Sequence, residues 1–374
     1  MALNCGIVGL PNVGKSTIFS ALSRAPAEAA NYPFCTINPN IGIAQLNDKR
    51  LDKLNEIFKP KRLVPATVEF IDIAGLVKGA SKGEGLGNQF LGHIREVGII
   101  TQVVRCWEDA DIVHVNGKVD PENDMEVINI ELALADLETL KKSTDRAERA
   151  LKIQNAAEKK TAAIALAALA KIETALQNGR AARTVPLDET ERESLRESNF
   201  ITLKPQLYVC NTDEEGARAA AAGKPNTYIE AVMRRSKAEG VPFVVICGKF
   251  EAELAGIESA LEKAEFLSEL GLKESGLEAL IREANKLLGF ITFFTAGADE
   301  CRAWTAKQGW TAPQAAGVIH SDFQKGFIKA EVYSFDDIVK YESEAKIKEA
   351  GKYRLEGKDY VVCDGDIMFF KFNV

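Results

Sequence analysis

The chain has 374 residues, of which 46% are apolar and 27% charged, and its formal net charge is −7. At about 150 residues per domain this length predicts more than one domain, and the composition excludes collagen-like, low-complexity and disordered proteins. The negative charge excludes a global positive field that would attract nucleic acid or anionic lipid, so any RNA contact must be local.

Apolar runs separated by helical patterns predict a mostly parallel sheet with helices on both faces, which is an α/β fold. The first run, at 3–8, is followed by a glycine-containing loop and a predicted helix over 16–23. Further runs predict strands at 66–73, 99–106, 112–115, 206–210 and 243–247. Because these runs do not alternate between apolar and polar residues, we expect strands that are buried on both faces.

The segment between Pro121 and Gly179 contains neither glycine nor proline and is rich in helix-forming residues. One helix of this length would reach about 85 Å at 1.5 Å per residue, so we predict an antiparallel helical hairpin that turns within 143–157. We expect the helices to pack through two apolar stripes, Ile130, Leu134 and Leu137 on one and Leu169, Ile172 and Leu176 on the other. Strands resume at 206, so the hairpin is inserted into the first domain.

From about residue 280 the pattern predicts a small α+β unit. We expect its strands at 291–295, 303–306, 360–363 and 368–372.

Residues 9–17 read Gly-Leu-Pro-Asn-Val-Gly-Lys-Ser-Thr, a complete G-x-x-x-x-G-K-S phosphate-binding loop between a predicted strand and a predicted helix. Its backbone N–H groups can surround the phosphates, Lys15 brings a positive charge to the β- and γ-phosphates, and Ser16 places a hydroxyl on Mg²⁺. The predicted nucleotide-binding residues of this loop are Asn12, Val13, Gly14, Lys15, Ser16 and Thr17.

Asp72-Ile-Ala-Gly75 ends a predicted strand. There the carboxylate can hold a metal through water and the Gly75 N–H can meet the γ-phosphate. Thr36, which lies between the first helix and this strand, is the candidate switch residue that gives a hydroxyl to Mg²⁺; the alternative is an ordinary loop threonine. We therefore predict Mg²⁺ on Ser16, Thr36 and Asp72, and we count Lys15, Thr36 and Gly75 among the catalytic residues.

Base recognition departs from the guanine-specific pattern Asn-Lys-x-Asp, because this chain has Asn211-Thr-Asp-Glu214. Thr212 replaces the stacking lysine, and Glu214 is one methylene longer than the aspartate that pairs with guanine. Loss of such a pair removes roughly 10⁴-fold discrimination, so we predict a preference for ATP over GTP. Cys247 and Gly248 stand where the last base-contacting loop is expected.

The residue that orients the attacking water also differs, since Leu76 stands where Ras-like proteins have glutamine and a leucine can neither orient nor deprotonate water. His114 is the first candidate for this role, with a buried structural histidine as the alternative. His93 is a second candidate, because it follows a glycine-rich loop over 79–87.

Together these motifs resemble the YchF / Obg-like ATPase family of translation-factor-class P-loop proteins. The resemblance rests on 9–17, 31–37, 72–81, Asn211 with Glu214, and on 302–305 with 312–320. It implies an ATP-preferring P-loop NTPase G domain, the inserted antiparallel helical arm, and a C-terminal TGS domain of ubiquitin-like β-grasp fold. It also implies K⁺ as an activating ion held partly by Asn12; the alternative for Asn12 is a turn residue.

We therefore predict a G domain over 1–128 and 202–279, a helical insert over 129–201 and a TGS domain over 280–374. The predicted function is slow hydrolysis of Mg-ATP, with weaker GTP hydrolysis, by a ribosome- and RNA-associated regulatory switch. The alternatives are a regulatory binding protein stabilised by nucleotide and a GTP-hydrolysing switch with little intrinsic turnover.

We expect the partners to be ATP and ADP, the ribosome and RNA. Candidate RNA contacts, with scattered solvated charges as the alternative, are Lys78, Lys82, Arg95, Arg302, Lys307 and Lys325. No apolar stretch reaches the ~18 residues of a membrane span and the first residues do not resemble a signal peptide. We thus expect a cytoplasmic monomer with no membrane contact.

Overall fold

A computed structural model of the chain describes residues 4–24, 40–73, 86–257 and 259–373. The strands are β1 (Asn4–Val8), β2 (Ile41–Leu46), β3 (Arg62–Val64), β4 (Ala66–Asp72), β5 (Ile99–Arg105), β6 (Gln206–Asn211), β7 (Phe243–Ile246), β8 (Phe290–Ala296), β9 (Glu300–Lys307), β10 (Phe327–Ser334), β11 (Arg354–Glu356) and β12 (Asp366–Phe372). None of the helices in these ranges is long and apolar enough to cross a membrane.

The α-helices are α1 (Lys15–Arg24), α2 (Lys49–Phe58), α3 (Leu86–Glu96), α4 (Pro121–Ala150), α5 (Ala156–Gln177), α6 (Glu189–Ser194), α7 (Glu214–Ala221), α8 (Thr227–Glu239), α9 (Gly248–Leu254), α10 (Ala260–Glu269), α11 (Gly276–Leu287), α12 (Ala312–Ile319), α13 (Ser321–Lys325), α14 (Phe335–Tyr341) and α15 (Glu344–Glu349). Contacts divide the chain into two units, Met1–Gly42 with Glu69–Leu280 and Ile43–Val68 with Ile281–Val374.

The first sheet has the strand order β2-β4-β1-β5-β6-β7. Strands β4, β1, β5, β6 and β7 pair in parallel, and every residue of β5 and β6 is buried. This confirms the predicted α/β architecture, because parallel strands at the centre of such a sheet are covered on both faces. The carboxyl ends of the parallel strands therefore meet at one edge, where ligands bind in open α/β sheets.

The predicted strand at 112–115 is wrong, since these residues form a loop. The carbonyl of Ile112 accepts from the Arg105 guanidinium at 2.8 Å, and the carbonyl of Val113 accepts from the Asn12 side chain at 3.1 Å. Side chains thus take the hydrogen bonds that a neighbouring strand would have to make.

The helical hairpin consists of α4 and α5, and its turn at 151–155 lies inside the predicted range. Asn155 caps α5 by accepting hydrogen bonds from the N–H groups of Ala157 and Glu158. The predicted boundary at 128/129 falls inside α4, whose first turns bury Met125 and Ile128; Met125 belongs to the hydrophobic cluster that covers β5 and β6. The hairpin therefore grows out of the first unit as one continuous helix.

The first predicted packing stripe is wrong for Ile130 and Leu134, which are exposed, but Leu137 packs against the core of the hairpin, and Leu169, Ile172 and Leu176 of the second stripe are buried there as predicted. Helix α4 contributes Ala133, Leu140 and Ala147 to this core. These residues recur at i, i+7 and i+14 and so share one face of the helix. Small alanines let α4 approach the alanine-rich α5 closely. A prediction based on leucine and isoleucine positions does not detect this packing.

The base of the hairpin is fastened to α3. The Lys204 ammonium donates to the carbonyls of Ile94, Arg95 and Val97 at 2.5–3.0 Å, and burial lowers its pKa to about 8. The Arg95 guanidinium donates to the Thr139 hydroxyl of α4 at 3.0 Å. The C-terminal carbonyls of α3 therefore find their hydrogen-bond partners in the segments that flank the hairpin.

The second unit contains a six-stranded sheet of order β11-β10-β12-β8-β9-β3. Strand β3 pairs in parallel with β9, and the unit includes residues Ile43–Val68. The structure thus places these residues with the C-terminal unit, whereas the predicted range 1–128 assigned them to the G domain. Between β3 and β9 lie more than two hundred residues of sequence, so no local pattern could have revealed the pairing.

The predicted strand at 360–363 is also wrong, because only an isolated bridge joins Val361 to Thr311. The Asp366 carboxylate accepts from the Tyr360 hydroxyl at 2.7 Å and from the Cys363 N–H at 2.9 Å. These two bonds fold the segment back into a turn before β12.

Candidate functional site

The phosphate-binding loop lies between β1 and α1, as the motif predicts. Asn12 and Gly14 both have positive φ angles, of 61° and 93°. A side chain on Gly14 would collide with the Asn211 side-chain nitrogen, so glycine is required here both by conformation and by space. The loop therefore depends on a residue nearly two hundred positions away.

Asn211 joins two loops of the site. Its side-chain nitrogen donates to the Val13 carbonyl at 2.9 Å, and its side-chain oxygen accepts from the Gly248 N–H at 3.0 Å. Asn211 is buried, so breaking either bond would leave a polar group unsatisfied. The residue expected to contact the base thus also fixes the phosphate-binding loop against the start of α9.

Lys15 and Asp72 lie close enough together at the phosphate end of the site for each to shift the pKa of the other. The Lys15 ammonium donates to the Leu10 carbonyl at 2.7 Å, and burial lowers its pKa while the nearby Asp72 opposes that shift. Burial raises the pKa of Asp72, and Lys15 opposes it. The sheet therefore brings one cation and one carboxylate together where Mg²⁺ and phosphate would meet.

A cleft of about 1070 Å³ opens over the phosphate-binding loop, which is large enough for a nucleoside triphosphate. It brings together most of the predicted nucleotide-binding residues: Asn12, Gly14, Lys15, Ser16, Thr17, Asn211, Glu214, Cys247 and Gly248. Val13 takes part through its carbonyl. Thr36, Gly75 and Leu76 lie outside the described residues.

Three cleft residues that motif reasoning missed follow β5: Trp107, Glu108 and Asp109. Trp107 is the only one of them with a large π-face, and it stacks on the Arg105 guanidinium at 4.7 Å. The sequence contained a signal for it, because an aromatic residue directly after a buried parallel strand stands at the ligand-binding edge of the sheet.

Arg105 organises the loop that carries these residues. Its side chain is 1% exposed, and its guanidinium donates to the carbonyls of Trp107, Ile112 and Asp109 at 3.1, 2.8 and 3.4 Å. A buried arginine normally has a carboxylate partner; here backbone carbonyls take that place. Arg105 therefore determines the path of the loop along one wall of the cleft.

His114 lies in the same loop but does not line the cleft. Its Nε2 is 2.8 Å from Asp124 Oδ2, and its Nδ1 accepts from the Asn116 N–H at 3.2 Å. Since Nδ1 accepts, Nε2 carries the proton and donates to Asp124. Burial raises the pKa of Asp124, and His114 opposes that shift. In this arrangement both ring nitrogens are occupied, as the structural alternative requires.

The remaining predicted residues are placed as follows. His93 is exposed on α3, and Arg95 is committed to Thr139 and to the Asn199 carbonyl. Arg302 stacks on Trp304 at 3.9 Å. Lys307 and Lys325 are exposed, whereas Lys78 and Lys82 lie outside the described residues. Two of the candidate RNA contacts are therefore already engaged within the protein.

Comparisons with known proteins agree with the site. Residues 4–140 match the family described as 50S ribosome-binding GTPase, and residues 290–373 match YchF-GTPase_C, described as a protein of unknown function. "Ribosome-binding ATPase YchF" of Haemophilus ducreyi is 51% identical and that of Escherichia coli O157:H7 52%, each over the whole of both chains.

A solved structure, the YchF GTPase of Schizosaccharomyces pombe, superposes with a TM-score of 0.86 at 37% identity. The match covers 98% of this chain and 97% of that chain.

Proposed function

The chain belongs to the YchF family, and from this membership and the geometry of the cleft we propose that it hydrolyses Mg-ATP slowly as a ribosome-associated switch. It is an enzyme that hydrolyses nucleoside triphosphates. The observation that carries the proposal is the bridge from Asn211 to Val13 and Gly248, which joins the phosphate loop to the base end of the cleft.

The proposed preference for ATP rests on Thr212 and Glu214, which depart from the guanine-specific pattern. Thr212 is buried, and its hydroxyl donates to the Cys106 carbonyl at 3.2 Å, so it offers no alkyl chain to stack on a base. Glu214 begins α7 and lines the cleft. Trp107 supplies a π-face that is indifferent to the hydrogen-bonding edge of the base.

Mg²⁺ and K⁺ would be held at the phosphate end. Ser16 would give a hydroxyl to Mg²⁺ and Asp72 would bind it through water; with Thr36 this is an all-oxygen donor set of the kind Mg²⁺ prefers. Mg²⁺ would neutralise charge on the phosphates. The Asn12 side-chain nitrogen is bound to Val113, which leaves the side-chain oxygen as the donor for K⁺.

The relatives' names supply the proposed partner, the ribosome. We propose that the switch acts as a monomer in the cytoplasm and that the C-terminal unit is a TGS domain of β-grasp fold. The competing function is a regulatory protein in which nucleotide is a structural ligand, and Leu76 favours it because leucine cannot activate water.

We expect ATP to bind at least about tenfold more tightly than GTP with Mg²⁺ present, and the double variant Thr212→Lys/Glu214→Asp to shift the preference toward GTP. Trp107 lines the cleft, so its fluorescence should report binding of either nucleotide. Glu215→Asp is the matched control, because Glu215 lines the same cleft next to Glu214. Tighter binding of GTP by the unaltered chain would refute the proposed ATP preference.

We expect His114→Ala to lower kcat at least about tenfold while nucleotide affinity stays nearly unchanged, as for a group that acts in the transition state. For this role we propose that nucleotide binding replaces the hydrogen bond from the Asn116 N–H to His114 Nδ1 by one from a water molecule. The hydrogen bond between His114 Nε2 and Asp124 is kept. Single-turnover hydrolysis and equilibrium binding separate the two quantities, and His320→Ala, in the C-terminal unit, is the control. Equal weakening of turnover and binding would establish a structural histidine, and no turnover in the unaltered chain would favour the structural-ligand function.

A further inference from the structure

Glu251, on α9, is a buried carboxylate that the function proposed above does not use. Its side chain is 2% exposed, and no lysine or arginine of the described ranges forms an ion pair with it. Burying a carboxylate is costly unless hydrogen bonds satisfy its oxygens. The groups that donate to Glu251 therefore indicate what the residue does.

The hydrogen bonds to this carboxylate come from the start of α11. The Gly276 N–H donates to Glu251 Oε1 at 2.6 Å, and the Ser275 hydroxyl and the Leu277 N–H donate to it as well. The first N–H groups of a helix have no partner within the helix, and the positive end of the helix dipole favours a carboxylate there. Glu251 thus ties α9 to the N-terminus of α11.

Gly276 holds the start of α11 against β7. A Cβ atom on this glycine would lie 2.9 Å from the Val245 carbonyl oxygen and 3.0 Å from Ile246 Cα, so a residue without a side chain is needed for so close an approach. Strand β7 is the one that leads into α9. The groups that bind Glu251 therefore have a fixed position relative to the sheet.

The opposite face of α9 forms part of the nucleotide cleft. The residues of α9 that line the cleft are Gly248, Lys249, Ala252 and Glu253. The Gly248 N–H also completes the bridge through Asn211 to the phosphate-binding loop, so the position of α9 decides whether this bridge can form. We propose that Glu251 is a positioning residue that holds α9, and with it the base end of the cleft, in the place where nucleotide binds.

The same hydrogen bonds make this anchor sensitive to pH. Burial raises the pKa of Glu251 to about 7, and Glu278 on α11 raises it further, while the hydrogen bonds from the start of α11 oppose the shift. The Cys247 thiol, a second titratable group near Glu251, has a pKa that burial raises as well. An ionised carboxylate accepts all three bonds, whereas a protonated one gives up an acceptor position to its own O–H. Protonation of Glu251 therefore loosens α9 from α11.

Stability and nucleotide affinity respond to the protonation of Glu251 in opposite directions. Because the pKa of Glu251 in the folded chain is above its ordinary value, the residue contributes stability at low pH that is lost as the pH rises through about 7. Nucleotide affinity instead falls as the pH is lowered through the same range, since the protonated anchor holds the start of α9 less firmly. Unfolding therefore does not account for the loss of affinity.

The test measures how nucleotide affinity depends on pH. It rests on the proposed binding of nucleotide in the cleft and adds how that site is held and regulated. Dissociation constants of Mg-ATP and Mg-ADP are measured by Trp107 fluorescence between about pH 6 and about pH 8, for the full unaltered chain, Glu251→Gln and Glu262→Gln. The last is the control, because it removes an exposed carboxylate of α10 that does not line the cleft. The nucleotide itself titrates identically with every protein, so differences between the profiles belong to the substituted residue.

We expect Glu251→Gln to bind nucleotide about fivefold more weakly than the control at about pH 8 and equally well at about pH 6, where the control has lost its ionised anchor. A ratio of the two dissociation constants that stays constant across this range overturns the proposal, and so do equal affinities at every pH.

Ser275→Ala decides the proposal where Glu251→Gln fails to fold. It removes a hydrogen bond that lowers the pKa of Glu251, so the midpoint of the affinity profile should move to higher pH. A midpoint that does not move overturns the proposal. None of these measurements requires hydrolysis: a chain that binds nucleotide without turning it over refutes the proposed function, while its binding profile still decides the role of Glu251.

Discussion

Replacing Asp136 by alanine is expected to lower the free energy of unfolding of the first unit by about 3–5 kcal/mol. Asp136 is fully buried on α4, and its carboxylate accepts from the N–H groups of Ile201 and Thr202 and from the Thr202 hydroxyl at 2.7–2.8 Å. Alanine leaves all three donors buried without a partner. The hairpin would thereby lose the bond between its first helix and the chain that returns to the sheet.

Urea unfolding followed by circular dichroism measures the change, with limited proteolysis to locate it. Glu138→Ala is the control, because Glu138 lies two residues further along α4 outside the buried core and should change stability by less than about 0.5 kcal/mol. Asp136→Asn keeps one acceptor oxygen and should fall between the two. If Asp136→Ala matches Glu138→Ala, the buried carboxylate does not hold the hairpin base.

Replacing Arg105 by alanine is expected to weaken nucleotide binding at least about tenfold, or about 1.4 kcal/mol. The carbonyls of Trp107, Asp109 and Ile112 would lose their shared donor, and the cleft wall that they form would lose its fixed path. Arg105→Lys should recover part of the affinity, because an ammonium can serve some of these carbonyls but lacks the planar fork of guanidinium.

Nucleotide titration followed by Trp107 fluorescence measures the loss. Added guanidinium ion at low, non-denaturing concentration should restore part of the affinity of Arg105→Ala, since it can occupy the vacated space. Arg218→Ala removes an arginine from α7 that does not line the cleft and is the control for charge. Unchanged affinity together with an unchanged Trp107 spectrum would show that the loop holds its path without Arg105.

Local patterns predicted the parts of the site that local sequence determines. The phosphate-binding loop needs only a strand, a glycine-rich turn and a helix in succession, and all three stand where the motif predicts them. The structure added what distant residues contribute: the Asn211 bridge between loops, and the Arg105 guanidinium that serves three carbonyls. Such roles depend on which loops meet in space, which no spacing along the chain encodes.

The same distinction between local sequence and distant partners separates the parts of the fold that could be predicted from those that could not. Buried parallel strands were predictable because apolar runs do not depend on their partners, as β5 and β6 illustrate. The strand expected at 112–115 does not form, because the side chains of Arg105 and Asn12 donate hydrogen bonds to carbonyls of this segment. The pairing of β3 with β9 was beyond local reasoning, since it joins segments far apart in sequence.

The hydrogen bonds that Lys204 and Arg95 make at the end of α3 limit how this helix can move. Hydrogen bonds lose most of their strength within a few tenths of an ångström beyond about 3.2 Å, and an axial slide of α3 by one residue would move its carbonyls by about 1.5 Å. Such a slide breaks the three bonds to Lys204 together, and because Lys204 stands just before β6, these bonds tie the end of α3 to the sheet. We therefore expect α3 to keep its axial position relative to β6 as long as the Lys204 ammonium holds these carbonyls, and to lose all three bonds in one step.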